Sequence, residues 1–202
     1  MNERTRIFLD GIFRQNAVYR QILGICSTLA VTNLLTNTLV MSVGLTFVTA
    51  MSSFTVSLLR KITPPRIRMM VQVMIIATYV IVVDLILKAY LPDISERLGP
   101  YVGLIITNCI IMGRAEAFAA KYPPWPSFLD GLAMGLGYTL VLMSIALVRE
   151  ILGFGTLFGF LILPEQWTRW TIMAMAPGAF FMLGIVIWIM NIIDPPEKIE
   201  SS

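Results

Sequence analysis

Histidine is absent from this sequence altogether. Without an imidazole there is no histidine-ligated haem, no histidine-based zinc site, and no serine or cysteine nucleophile activated by a neighbouring histidine. A glycine-rich strand-to-helix phosphate fingerprint is missing too, so NAD or ATP chemistry falls to another chain. Charge is scarce: 13% of residues are charged, where a soluble domain carries about a quarter. Apolar residues fill the gap, at 57% of the chain with a mean hydropathy of +0.80. A soluble fold could not hide that much apolar surface, and the chain reads as an all-α integral membrane protein. Net charge is only +3. The basic residues cluster at the edges of apolar segments and form no stripe, which excludes nucleic acid as a partner. Met1 to Gln15 carries Arg4, Arg6 and Arg14 among Glu3 and Asp10. It lacks the apolar core and small-residue cleavage site of a signal peptide and is expected to stay in the mature protein.

Long apolar runs place six membrane segments near 18–32, 38–59, 69–91, 100–113, 127–148 and 171–191. The second, third, fifth and sixth have about 20 residues, enough to cross a hydrocarbon core of roughly 30 Å. Val18 to Thr32 and Pro100 to Gly113 are each about 14 or 15 residues, roughly 21 Å of helix, and are expected to be half-helices continued by irregular backbone. Thr63-Pro64-Pro65 and Tyr122-Pro123-Pro124-Trp125-Pro126 read as turns, since consecutive prolines do not continue a helix. Trp125, Trp167, Trp170 and Trp188 lie near segment ends, as interface anchors do.

A cytoplasmic N-terminus puts the N-terminal arginines, Arg60, Lys61, Arg66, Arg68, Arg114, Lys121 and Lys198 inside, leaving Lys88, Arg97, Arg149 and Arg169 outside. The two short segments stand first and fourth of six, and each carries one cysteine. This suggests a 3+3 inverted repeat, 1–95 followed by 96–202, whose broken helices meet near the midplane. Beyond the cysteine positions there is little residue identity between the halves.

Cys26 and Cys109 are the candidate ligands. Arg20 lies six residues before Cys26 and Arg114 five after Cys109, so both thiols sit roughly 7 to 9 Å from a cytoplasmic charge and can share one depth. They read equally as small buried hydrophobes or as metal ligands, with Gly24, Ala30, Gly103 and Gly113 allowing close approach of helix ends. A two-iron cluster takes four protein ligands. Two cysteines would therefore need two more from another copy or a homologous partner of opposite topology. A cytoplasm-facing, membrane-buried pair is a poor place for a disulfide.

Leu23 to Thr32, Val71 to Ala77, Val83 to Tyr90 and Thr107 to Ala119 resemble the NqrD/RnfE family over almost the whole chain. Val80 to Tyr90 and Pro126 to Gly131 are more similar to the sodium-translocating NADH:quinone reductase branch than to the Rnf branch, whose complexes are ion-translocating ferredoxin:NAD oxidoreductases. The resemblance implies a six-helix subunit of a bacterial inner-membrane translocase, paired with a homologous inverted subunit of the NqrE/RnfA kind. It implies that Cys26 and Cys109 hold half of a shared intramembrane [2Fe-2S] cluster. It also implies that flavin, NADH and quinone bind other subunits of the complex.

Asp84 lies in an apolar stretch, and an intramembrane carboxylate is a candidate for an ion pathway. The plainer reading is a local pair with Lys88 at i,i+4. Arg114 and Glu116 flank a segment end, where Arg114 either tunes a cluster, caps a helix or joins a salt bridge to another subunit. Asp130-Gly131 reads as a turn and Arg149-Glu150 as interface charge. Thr28, Thr32, Thr107 and Asn108 either donate to cluster sulfurs or satisfy carbonyls freed where short helices end. The alternative from a different class is a small secondary ion transporter with an inverted repeat, relying on Asp84 and needing no iron.

Overall fold

A computed structural model describes residues 23–157, 160–161 and 175–193. Residues 1–22, 158–159, 162–174 and 194–202 lie outside it, and with them the expectations placed on the N-terminal arginines, Val18 to Ile22, Arg20, Trp167, Arg169, Trp170 and Lys198. In chain order the elements are α1 (Ile25–Val31), α2 (Leu35–Leu59), α3 (Arg68–Tyr90), α4 (Pro92–Ile106) and α5 (Cys109–Arg114). The last continues as a π-helical turn, Ala115–Ala119. Then come α6 (Pro124–Phe154), the short antiparallel pair β1 (Thr156–Leu157) and β2 (Phe160–Leu161), and α7 (Ala176–Ile193). Leu35–Leu59, Arg68–Tyr90, Tyr101–Ala119 and Pro124–Gly153 are each long and apolar enough to cross a membrane, and Pro177–Ile192 is a shorter apolar helix. The protein is a multi-pass membrane protein.

The fourth segment is longer than its apolar run suggests. Tyr101–Ala119 has 19 residues, interrupted at Thr107 and Asn108, where Asn108 is extended at φ −68° and ψ 121°. Arg114 and Glu116 do not end it, because both find partners inside the chain: Arg114 binds Asp130, and Glu116 accepts from Arg68 and Gln72 at 3.0 Å each. Charges neutralised in this way can lie within a span.

Proline sets one boundary against expectation. Pro124 opens α6 and Pro126 sits in its first turn, so the expected turn retreats to residues before Pro124. A helix start leaves its first N–H groups without intrahelical partners, and proline has none to lose. Thr63-Pro64-Pro65 does form the turn between α2 and α3. Trp125 and Trp188 are exposed on the outer surface, as anchors should be.

The most extensive packing is between α2 and α6, which run antiparallel: Leu35 meets Glu150, and Thr46 and Ala50 meet Gly135 and Gly131. A Cβ on Gly135 would stand 2.8 Å from the Cα of Thr46, and one on Gly131 would stand 3.0 Å from the Cα of Ala50. Lipid tails are as apolar as leucine, so close backbone approach through small residues drives such pairing. The turn expected at Asp130-Gly131 is instead helical and lies toward the start of α6, within this seam. Its hydroxyls turn inward on their own helix: Thr46 donates to Ser42 O at 2.8 Å and Thr49 to Leu45 O at 2.7 Å.

The ends of the two helices secure each other's preceding loop. Leu35 N–H donates to Glu150 Oε2 at 2.7 Å, while Arg149 donates to Thr32 Oγ1 and to Asn33 Oδ1, the latter at 2.8 Å. Arg149 and Glu150, which the sequence marks as interface charge, are both about 1% exposed. At the other end, Ser57 Oγ donates to Tyr122 O at 2.5 Å and Arg60 to Lys121 O at 2.6 Å. By contrast α3 buries only the stripe Gln72, Ile76 and Val80, leaving Met70, Met74, Ile81, Leu85 and Ile86 exposed.

Candidate functional site

Two helix starts meet at the cysteines. Gly24 adopts φ 78° immediately before α1, and the 107–108 break immediately precedes α5. Cys26 therefore stands in the first turn of α1 and Cys109 at the first residue of α5. The backbone N–H of Gly24 donates to the sulfur of Cys109 at 2.9 Å, which brings the two cysteine segments to one level. Both cysteines are free thiols; Cys26 is exposed at the surface of the chain and Cys109 is partly buried.

Glycine is required at position 24 on two counts. Its positive φ is a region that side-chain-bearing residues avoid, and a Cβ there would lie 2.5 Å from Cδ1 of Ile110. The neighbouring small residues are not all used alike. A Cβ on Gly113 would meet Leu23 at 3.3 Å, whereas among the described residues no atom lies within 4 Å of one on Gly103.

A buried polar network lies behind the thiols. Ser27 Oγ accepts from Asn108 Nδ2 at 3.1 Å, lies 2.5 Å from the Tyr138 hydroxyl, and donates to Gly24 O at 3.1 Å. Asn108 also caps α5, its Oδ1 accepting the N–H of Ile110 at 3.0 Å. Thr28 donates to Gly24 O at 2.8 Å and Thr32 to Thr28 O at 2.6 Å. Both threonines thus bond carbonyls of their own segment, with Gly24 O also accepting the N–H of Thr28 at 3.1 Å. Thr107 is exposed. Sequence reasoning misses Ser27 and Tyr138. The available signal is a tyrosine in the middle of α6, far from the interface belts where the residue is usual.

Arg114 is 5% exposed and grips Asp130 with two nitrogens, Nε lying 2.9 Å from Oδ2. Its guanidinium also stands 5.4 Å from the centre of the Phe118 ring. The salt bridge of Arg114 lies within the chain, to Asp130, where the sequence suggested one to another subunit. Asp84 pairs locally with Lys88 at 2.6 Å, as i,i+4 spacing allows, on the outward side of α3. Among the described residues no three or more Cys, Asp or Glu side chains gather into a metal-sized cluster. The arrangement offers two soft sulfur donors at one level, one of them facing outward, with a backbone donor already on the other.

Residues 4–187 match the family described as "Rnf-Nqr subunit, membrane protein". The chain is 50% identical over 200 residues to the D subunit of the Na(+)-translocating NADH-quinone reductase of Chlamydia trachomatis serovar D, covering 94% of both chains. It is 50% identical over 196 residues to the protein of that name from Chlamydia felis, covering 92% of both. The like-named protein of Chlamydia pneumoniae is 48% identical over 201 residues, covering 95% of this chain and 94% of its own. The chain belongs to the Rnf-Nqr family of membrane subunits.

Proposed function

We propose that this chain is the D-type subunit of a sodium-translocating NADH:quinone oxidoreductase, a multi-subunit translocase of the bacterial inner membrane. In this reading Cys26 and Cys109 supply two of the four sulfur ligands of an intramembrane [2Fe-2S] cluster. The other two come from a homologous subunit of inverted topology. The observation that carries the proposal is the bond to the Cys109 sulfur from the amide of Gly24, two residues from Cys26, whose thiol faces out of the chain. Half a ligand set with an open side suits a cluster completed by a neighbour.

The donor set fits such a cluster. Thiolates are the usual ligands of two-iron centres, and amide donors to their sulfurs are part of how those centres are tuned. When bound, the cluster would carry one electron at a time between flavins on other subunits. Gly24 and Asn108 hold the ligand-bearing helix starts, and the apolar residues Ile110 and Leu23 keep water from the inner side. Flavin, NADH and quinone are handled elsewhere in the complex, since this chain has no dinucleotide fingerprint.

The paired breaks and the antiparallel α2 and α6, each securing the loop before the other, are what an inverted 3+3 repeat would produce. The lysine and arginine bias favours a cytoplasmic N-terminus. Asp84, closed on Lys88, is left a local pair instead of an ion site in this reading.

The test is made in the assembled complex. Cys26→Ala and Cys109→Ala should each remove the cluster's paramagnetic signal and its two irons. Quinone reduction should fall to background while NADH oxidation by the upstream flavin with an artificial acceptor persists. Wild-type quinone reduction in both variants would end the proposal, as would a reduced complex with no iron signal.

A further inference from the structure

Three side chains from three elements converge on the peptide of Gly24. Ser27 comes from α1, Asn108 from the break before α5, and Tyr138 from the middle of α6. All three are at most 2% exposed. Of the Ser27 and Tyr138 hydroxyls, Ser27 lies nearer Gly24 O, at 3.1 Å against 3.5 Å, and this sets the direction of their protons. The Asn108 amide nitrogen only donates, and the single hydroxyl proton of Ser27 goes to Gly24 O, so Tyr138 donates to Ser27. The relay therefore runs from Tyr138 and Asn108, through Ser27, to the carbonyl of a residue whose own N–H rests on the sulfur of Cys109.

Gly24 has many other conformations open to it, since glycine occupies both halves of φ space with little preference. Something must select the one at φ 78° that aims its N–H at the sulfur. The buried hydroxyls of Ser27 and Thr28, both bound to Gly24 O, do so from one side, and the Tyr138 ring packs against the glycine from the other, its Cε2 lying 3.1 Å from a built Cβ. Asn108 ties the same assembly to the start of α5, which carries Cys109.

We infer that Ser27, Asn108 and Tyr138 are positioning residues that hold the Gly24 amide on the Cys109 sulfur, making this amide the donor that sets how readily the cluster accepts an electron. The inference rests on the ligand role of Cys109. A hydrogen bond to a ligating sulfur stabilises the more negative, reduced state and so raises the potential. The three side chains reach the sulfur only through Gly24.

The experiment is a redox titration of the cluster's paramagnetic signal in the intact complex, with iron counted in the same samples. Tyr138→Phe and Ser27→Ala should keep wild-type iron but lower the equilibrium constant for one-electron reduction about tenfold, equivalent to a potential about 59 mV more negative. Ser27→Thr, which keeps the hydroxyl, should return most of the shift. Thr139→Val changes a hydroxyl on the same helix that bonds Gly135 O and Thr46 and should leave the potential where it was.

An unchanged potential in both Tyr138→Phe and Ser27→Ala at full iron content would overturn the inference, and so would an equal shift in Thr139→Val. If one of the first two variants fails to assemble, the other carries the same reading. If the wild-type complex holds no iron, the ligand role fails by itself. The positioning role is then read from the rate at which a short bis-maleimide, which adds one thiol to each of its double bonds, links Cys26 to Cys109 in the same complex. A slower rate in Tyr138→Phe supports it, and an unaltered rate overturns it.

Discussion

The seam between α2 and α6 and the junction between α1 and α5 draw on the same small and hydroxylated residues, yet one is closed and the other is open. At the seam, Gly131 and Gly135 let the backbones touch, the hydroxyls of Thr46 and Thr49 bond carbonyls of their own helix, and Thr46 also meets the Thr139 hydroxyl across the seam. Even the charges are matched there, with Arg114 and Asp130 buried together at one end and Glu150 capping Leu35 at the other. At the junction the inner side is equally finished, by Ser27, Asn108 and Tyr138, while the outer side presents a bare thiol. The lesson is a division of labour within one chain: the seam is closed by the chain's own groups, whereas the junction leaves the Cys26 thiol on the surface.

The comparison can be broken hardest at the buried ion pair. Removing one partner of such a pair strands a charge, at a cost of about 3 to 5 kcal/mol. Arg114→Met should lower the melting temperature of the detergent-solubilised protein accordingly, and Arg114→Met with Asp130→Leu should recover most of the loss. Equal stability of the single and double variants would mean the pair is not the lock at that end. Next in size is Gly135→Val. Its side chain would be driven into the Thr46 backbone, and overpacking of this kind costs about 1 to 3 kcal/mol. A melting curve matching wild type would show that α2 and α6 can separate freely. The smallest effect is expected on the open side: Cys26→Ser in the same preparation should shift stability by less than about 0.5 kcal/mol. A large loss there would mean that the exposed thiol is part of the fold and the division of labour is false.

Spans are legible where apolar runs are long, because a bilayer demands a minimum length and little else. The ends of α2 and α3, the Thr63-Pro64-Pro65 turn and the pairing of the two cysteine segments follow from such reasoning. Charges are where it misleads. Arg114, Glu116, Asp130, Arg149 and Glu150 look like edge markers, since an unpaired charge belongs at an interface. Each instead meets a partner on another part of the chain, such as Thr32 for Arg149, which is 117 residues distant. Hydropathy is a property of one segment, and no window along the chain reports which other segment will face it. Ser27 and Tyr138 escape for the same reason, being 111 residues apart and joined only by the fold.

The grip of Glu150 on the amide of Leu35 spans 115 residues, and it has a consequence in time. At roughly 5 to 20 residues per second of synthesis, the start of α2 waits on the order of 6 to 23 s in the membrane before its acidic cap emerges from the ribosome. During that interval the loop after α1 has neither Arg149 nor Glu150 to hold it. Nascent chains halted before Arg149 should therefore leave a thiol introduced by Thr32→Cys, in a Cys26→Ala background, open to small thiol reagents, and release of the remaining helix should close it, since Thr32 is fully buried in the finished chain.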